Sequence, residues 1–147
     1  MREALLQELS ENFEGRPWHG SPLRRLLDDV DAGNAHAHPI PGARSIAELA
    51  LHIAAWMEIV ERRLGGENPK VTADLDFPPA AGVEWKAILD RVDSAQQRLH
   101  ASVAKLDGSV FAERAVSGSY SNEYMLRGLM HHNTYHGAQI AMLKKHF

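Results

Sequence analysis

Seven prolines divide this chain into long intervals that contain no proline. They occur in three groups, at positions 17 and 22, 39 and 41, and 69, 78 and 79. Because proline removes a backbone donor and clashes with the preceding helical turn, long helices can form only between these groups. Apolar residues recur there at spacings of three and four, whereas the one hint of strand alternation, at 109–116, is too short to form a sheet. The pattern predicts an all-α fold with a loop at 109–116.

Three long helices are expected. The first covers 45–64, where Ser45 is followed three residues later by Glu48, a capping box, and where a Gly-Gly pair follows. The second covers 84–106, whose apolar residues share one face. The third runs from 122 to the carboxyl terminus, with Ser121 as its N-cap.

Shorter helices are predicted at 1–13 and from Ser21, with Pro22 in the favoured first helical position and an end at Gly33 and Asn34. The segment 34–42 contains two prolines and is predicted to be an extended connection. Amphipathic helices of this number bury their apolar faces against one another. The sequence therefore predicts one domain over residues 1–147, a four-helix bundle with an additional short N-terminal helix.

Composition excludes several functional classes. With no cysteine, the chain has no disulfide framework, no Cys-ligated zinc, no iron–sulfur cluster and no cysteine nucleophile. Its formal net charge of −3 argues against nucleic acid as a partner. No stretch approaches the ~18 apolar residues of a membrane span, and the first residues lack the apolar region of a signal peptide. We therefore expect no membrane partner and a cytoplasmic location.

The chain has nine histidines, and three of them lie on apolar helix faces. His132 and His136 are ~40° apart on one helix, in the stripe that contains Leu129 and Ile140. His52 lies at the border of the apolar stripe of another helix. Two interpretations are open: these rings are core residues bonded to carbonyl oxygens, or all three converge on a metal ion with a free coordination position.

The other six histidines have weaker support. His131 is ~100° from His132 and is expected at the surface. His36 and His38 are interpreted as surface residues of the 34–42 loop. No role is assigned to the remaining three, His19, His100 and His146.

Two segments carry a family resemblance. SIAELALHIAAWMEIVERRL at 45–64 and HNTYHGAQI at 132–140 resemble the DinB/YfiT-like superfamily of small helical-bundle metalloproteins, and EGRPWHGS at 14–21 resembles one of its subgroups. The resemblance implies that His52, His132 and His136 bind a divalent metal, zinc or nickel, and that the chain forms a homodimer. Gly137 and Ala138 stand in the opposite order to a common A-G-Q pattern of relatives, which is expected to affect helix packing.

Relatives of this kind include thiol-dependent S-transferases and isomerases, so the resemblance implies a small-molecule substrate and a low-molecular-weight thiol. A chain without cysteine needs such a thiol for any sulfur chemistry. Metal-dependent hydrolysis ranks second, because neither Glu48 nor Glu123 has the spacing of the general base in a known H-E-x-x-H site. A non-catalytic metal-binding or structural bundle is the third alternative.

Four further residues are expected near the metal. Trp56 is interpreted as core or pocket wall, and Gly128 as a position that leaves room for substrate. Tyr135 and Gln139 are expected to orient ligand rings or water through hydrogen bonds. A weaker expectation places the segment 117–121, with Tyr120, at the mouth of the bundle.

Overall fold

The computed structural model describes all residues, 1–147, and consists of helices and loops. The α-helices are α1 (Arg2–Phe13), α2 (Leu23–Asp28), α3 (Ala32–Ala35), α4 (Ile46–Leu64), α5 (Ala73–Asp76), α6 (Trp85–Lys105) and α7 (Asn122–Lys144). A 3₁₀ helix covers Gly108–Ala112, and the one β-bridge is an isolated antiparallel pair, Arg114 with Ser121. The predicted all-α fold is confirmed.

Four helices form the bundle: α1, α4, α6 and α7. Helix α4 packs against α6 and α7, and α1 covers the opposite side of the same two helices. The N-terminal helix is thus a full member of the bundle, and the additional helices are the short α2, α3 and α5. None of the helices combines the length and hydrophobicity needed to cross a membrane.

Helix α4 begins with the predicted capping box. The Ser45 side chain accepts from the Glu48 backbone N–H, and the Glu48 carboxylate accepts from the Ser45 N–H at 2.7 Å. Burial alone would raise the pKa of Glu48, but this bond and contacts with His38 and Arg44 outweigh it and lower the pKa to about 2. The start of the helix that carries His52 is therefore fixed by local hydrogen bonds.

The centre of α4 is buried on nearly all sides. Small side chains at Ala47, Ala50 and Ala54 are completely buried, as is Ile53. Small residues allow neighbouring helices to approach closely, so α4 lies in the middle of the bundle with α6 and α7 against it. A polar ring on α4 is consequently held among protein atoms instead of in water.

The region after α1 differs from the prediction. Helix α2 begins at Leu23 and ends at Asp28, so Pro22 is its N-cap and the helix is shorter than predicted. Gly33 belongs to a separate one-turn helix, α3, because the Asp31 side chain accepts its N–H at 2.8 Å and starts a new turn.

The segment 109–116, predicted as loop, contains most of the 3₁₀ helix. The Asp107 carboxylate caps this helix by accepting from the Ser109 N–H at 2.9 Å, and Phe111 is completely buried. Burial of the aromatic ring holds the segment against α7.

Candidate metal centre

Three histidine rings from two helices meet inside the bundle. His52 lies on α4, and His132 and His136 lie one turn apart on α7. Nε2 of His52 is 2.9 Å from Nε2 of His132 and 3.1 Å from Nε2 of His136. One ring nitrogen from each residue lies within 4.8 Å of the others. The packing of α4 against α7 thus brings together residues 80 positions apart.

The opposite ring nitrogens of two histidines are held by oxygen acceptors. Nδ1 of His52 is 2.6 Å from the Asp76 carbonyl oxygen, and Nδ1 of His136 is 2.6 Å from Oε1 of Gln139. A carbonyl oxygen can only accept, so Nδ1 of each ring carries the proton. In a neutral ring of this tautomer Nε2 carries a lone pair, and the Nε2 atoms of His52 and His136 lie 3.1 Å apart.

His132 completes the group with a weaker bond. Its Nδ1 is 3.3 Å from the side-chain oxygen of Asn133, which is buried. This contact favours a proton on Nδ1 and leaves Nε2 of His132 as a third acceptor. All three rings then present the same kind of atom to a common point.

Burial keeps two of these rings, His52 and His132, neutral. Desolvation lowers the pKa of His52 below its usual range and lowers the pKa of His132 to about 4. Lone-pair acceptors about 3 Å apart, such as Nε2 of His52 and the Nε2 atoms of its two neighbours, repel one another unless a cation lies between them. Zinc–nitrogen bonds of about 2.0–2.1 Å in tetrahedral geometry separate two nitrogens by about 3.4 Å. The donor set and its spacing are compatible with a divalent metal ion.

The end of α5 and the residue that follows it support His52 from outside the group. The Phe77 ring stacks on the imidazole with centroids 3.9 Å apart and planes 7° from parallel. The Asp76 carboxylate accepts from Trp56 Nε1 at 2.8 Å and lies 3.3 Å from His52 Nδ1. Sequence reasoning missed Asp76 and Phe77, because nothing in the segment 73–79 indicates that it folds back over α4.

A cavity of about 600 Å³ opens beside the three rings. Its wall is mostly apolar and includes Trp56, Val60, Met125 and Leu129. Gly128 also lines the cavity, and a Cβ placed on it would meet no atom within 4 Å. The missing side chain therefore leaves open space next to the histidines, and a cavity of this size accommodates a small-molecule ligand.

The other predicted site residues fall in different places. Gln139 contacts His136 directly, whereas Tyr135 is exposed and lies nearly perpendicular to the His136 ring, with centroids 5.0 Å apart. Tyr120 lines the cavity, as expected from its place before α7. Gly137 is buried, and a Cβ there would lie 3.2 Å from Leu26 of α2. The order Gly137-Ala138 therefore lets α2 pack closely on α7.

The remaining histidines stay outside the group. His131 is exposed, as predicted from the helical wheel. His38 contacts the Glu48 carboxylate at 2.9 Å and so belongs to the start of α4. The three histidines without an assigned role also lie elsewhere.

Comparison with curated proteins and with solved structures gave no significant match. The family model of the DinB superfamily matches residues 18–140, which include all three converging histidines. The match covers most of the chain and agrees with the helical fold. On these grounds, the chain belongs to the DinB superfamily.

Proposed function

We propose that this protein is a divalent-metal-dependent enzyme that joins a low-molecular-weight thiol to a small electrophile. His52, His132 and His136 are the proposed ligands of a zinc or nickel ion. The observation that carries the proposal is the convergence of the Nε2 atoms of three histidines in the wall of an apolar cavity. Three imidazole ligands are typical of catalytic zinc sites, which keep a position for water or substrate.

A bound metal would supply a Lewis acid that lowers the pKa of a thiol or a water molecule towards neutral pH. The protein's own residues hold the site and shape the cavity. The Asp76 carbonyl and Gln139 fix two rings in the required tautomer, and Phe77 covers one face of His52. The apolar wall around Trp56 favours an apolar electrophile over water.

The sulfur nucleophile must come from a cosubstrate, because the chain has no cysteine. In the proposed reaction the thiol sulfur forms a bond to an electrophilic carbon, and the leaving group departs with its electron pair. The thiol proton passes to solvent through the open side of the cavity.

Metal-dependent hydrolysis is the second candidate, and one observation favours it. Sequence reasoning found no general base, but Asp76 supplies a carboxylate in the cavity wall. A carboxylate there accepts a proton from an attacking water if the substrate leaves room between them. The Asp76 carboxylate is bonded to Trp56, which makes this use secondary.

The test combines metal content with turnover. Protein purified without a chelating tag is subjected to elemental analysis, then assayed with monobromobimane and a panel of small thiols. We expect about one zinc or nickel per chain and thiol consumption that a chelator abolishes. Metal content without turnover of thiols or esters would leave a non-catalytic metal-binding protein, and absence of metal would leave a structural bundle.

The matched variants are neighbours on α7. His132→Ala removes one proposed ligand, and His131→Ala removes an exposed ring outside the group. We expect loss of metal and turnover in the first variant and wild-type behaviour in the second. Full metal content in His132→Ala would contradict the site assignment.

We also infer that two copies of the chain associate. Ile40, Tyr135 and Met142 are exposed apolar side chains around one groove beside α7, and burying such a surface favours association. Sedimentation of the purified protein tests this proposal, and a monomer at micromolar concentration would contradict it.

A further inference from the structure

The wall of the cavity beside the three histidines contains one arginine, Arg63, which forms no ion pair with an acidic side chain of the protein. Arg63 follows His52 by eleven positions on α4, which places the two residues ~20° apart on the helical wheel and about 16 Å apart along the axis. Trp56 lies between them on the same stripe. Helical side chains lean toward the N-terminus, so Arg63 leans back toward the histidines.

The guanidinium of Arg63 is held in the cavity wall by an aromatic ring. Its central carbon is 5.6 Å from the Trp56 ring centroid, and that centroid is 5.7 Å from the centroid of His132. The two distances together set an upper limit of about 11.3 Å between the guanidinium carbon and the centroid of the His132 ring. A small molecule can therefore touch both ends of the cavity.

One donor of Arg63 lacks a hydrogen-bond acceptor. Its Nε is buried and has no partner within the protein. Its neighbour Arg62, in contrast, pairs with Glu67 at 3.0 Å, and Arg91 on α6 pairs with Glu58 at 2.8 Å. A buried donor without an acceptor destabilises the folded protein. The planar guanidinium of arginine matches a planar acceptor such as a carboxylate.

The rest of the cavity indicates which ligand supplies that acceptor. Asp76 is the other residue with a full charge in the wall, and its carboxylate already accepts from Trp56. Between Arg63 and the histidines the surface is apolar, with Val60, Met125 and Leu129. One guanidinium balances one negative charge, which suits a carboxylate better than a phosphate dianion.

We propose that Arg63 binds the carboxylate of a small substrate whose apolar middle lies along Trp56 and whose other end reaches the three histidines. The substrate class is an amphiphilic monocarboxylate, either the thiol or the electrophile. This inference rests on the proposed function, because it assigns the reacting end of that molecule to the histidine group.

The experiment compares a carboxylate with its neutral counterpart, para-propylbenzoate and para-propylbenzamide. Their affinities are measured by isothermal titration calorimetry, with the protein as purified and after addition of zinc. We expect the wild type to bind the benzoate about tenfold more tightly, the effect of one charge-assisted pair. Arg63→Gln is expected to lose that preference, and Arg62→Gln, the adjacent arginine outside the cavity, to keep it.

Measuring zinc affinity distinguishes a failure of this inference from a failure of the proposed function. Arg63→Gln is expected to bind zinc like the wild type, because Arg63 does not contact the histidines. If the wild type fails to bind metal but prefers the benzoate through Arg63, the enzymatic proposal fails and the carboxylate site stands.

Three results would overturn the inference: no benzoate binding by the wild type, equal affinities for the two compounds, or a preference retained in Arg63→Gln.

Arg63→Lys guards against a folding defect in the glutamine variant. It keeps the positive charge and is expected to retain a preference for the benzoate. Replacing the para-propyl group by a mercaptomethyl group (–CH2SH) then tells whether the carboxylate belongs to the thiol, because zinc is expected to tighten the binding of this compound only in that case.

Discussion

Gln139 tests the metal site without removing a proposed ligand. Its Oε1 accepts from Nδ1 of His136 at 2.6 Å, which holds the ring in the tautomer that presents Nε2 to the centre. Gln139→Leu keeps a side chain of similar length and removes the acceptor. Without this acceptor the His136 ring is free to rotate and to change tautomer, and ordering it makes the free energy of metal binding less favourable.

The expected loss follows from the role of such partners. Removing an oxygen that holds a metal-binding imidazole lowers metal affinity by about 10–100-fold, or about 1.4–2.7 kcal/mol. His52 and His132 keep their own Nδ1 partners, Asp76 and Asn133, so metal binding is weakened and not abolished. Gln139→Glu retains an acceptor and is expected to bind zinc at least as tightly as the wild type.

The assay is competition for zinc with a chromophoric chelator of known affinity. The control is Gln97→Leu, the same substitution at an exposed position on α6. Thermal melting confirms that each variant is folded. If Gln139→Leu binds zinc with wild-type affinity, the Nδ1 contact does not orient His136 for a metal, and the reasoning from tautomers is refuted.

Three further predictions concern stability and the cavity. Glu48 has a pKa of about 2 in the folded protein and 4.5 as its ordinary value, so its stabilising charge is present above that ordinary value and lost as pH falls toward 2. Urea unfolding is expected to show an advantage of wild type over Glu48→Gln of about 3 kcal/mol near pH 7 that falls to about 1 kcal/mol at pH 3; a gap independent of pH would contradict this. Leu99→Ala, at a completely buried site on α6, is expected to lower the free energy of unfolding by about 3 kcal/mol in urea, and a loss under 1 kcal/mol would show a poorly packed core. Gly128→Leu is expected to reduce thiol turnover at least about tenfold by filling the cavity while zinc affinity is unchanged; unaltered turnover would place the reaction elsewhere.

Local signals were sufficient for the long helices. The Ser45–Glu48 capping box and the Ser121 N-cap act within three residues, so the starts of α4 and α7 follow from the adjacent sequence alone. The N-cap of α2 was displaced by one residue, and Asp31 started a turn that the pattern did not indicate. Helix α2 begins at Pro22 without a side-chain capping bond, whereas α3 begins with the one from Asp31, so the start of a short helix is weakly marked in the sequence.

The candidate site divides in the same way. The common face of His132 and His136 is a property of one helix with a repeat of 3.6 residues, and the sequence by itself determined it. The sequence also carried the family resemblance that named His52, although no local rule links a ring on α4 to a pair 80 positions later.

Only the tertiary structure decided which atoms of those rings face one another. The Asp76 carbonyl, Phe77 and the guanidinium of Arg63 acquire their roles when the end of α5 folds over α4 and when α7 closes the cavity. The physical reason is range: capping and helical periodicity act over a few residues, whereas burial, tautomer selection and a shared cavity require segments distant in sequence to pack together.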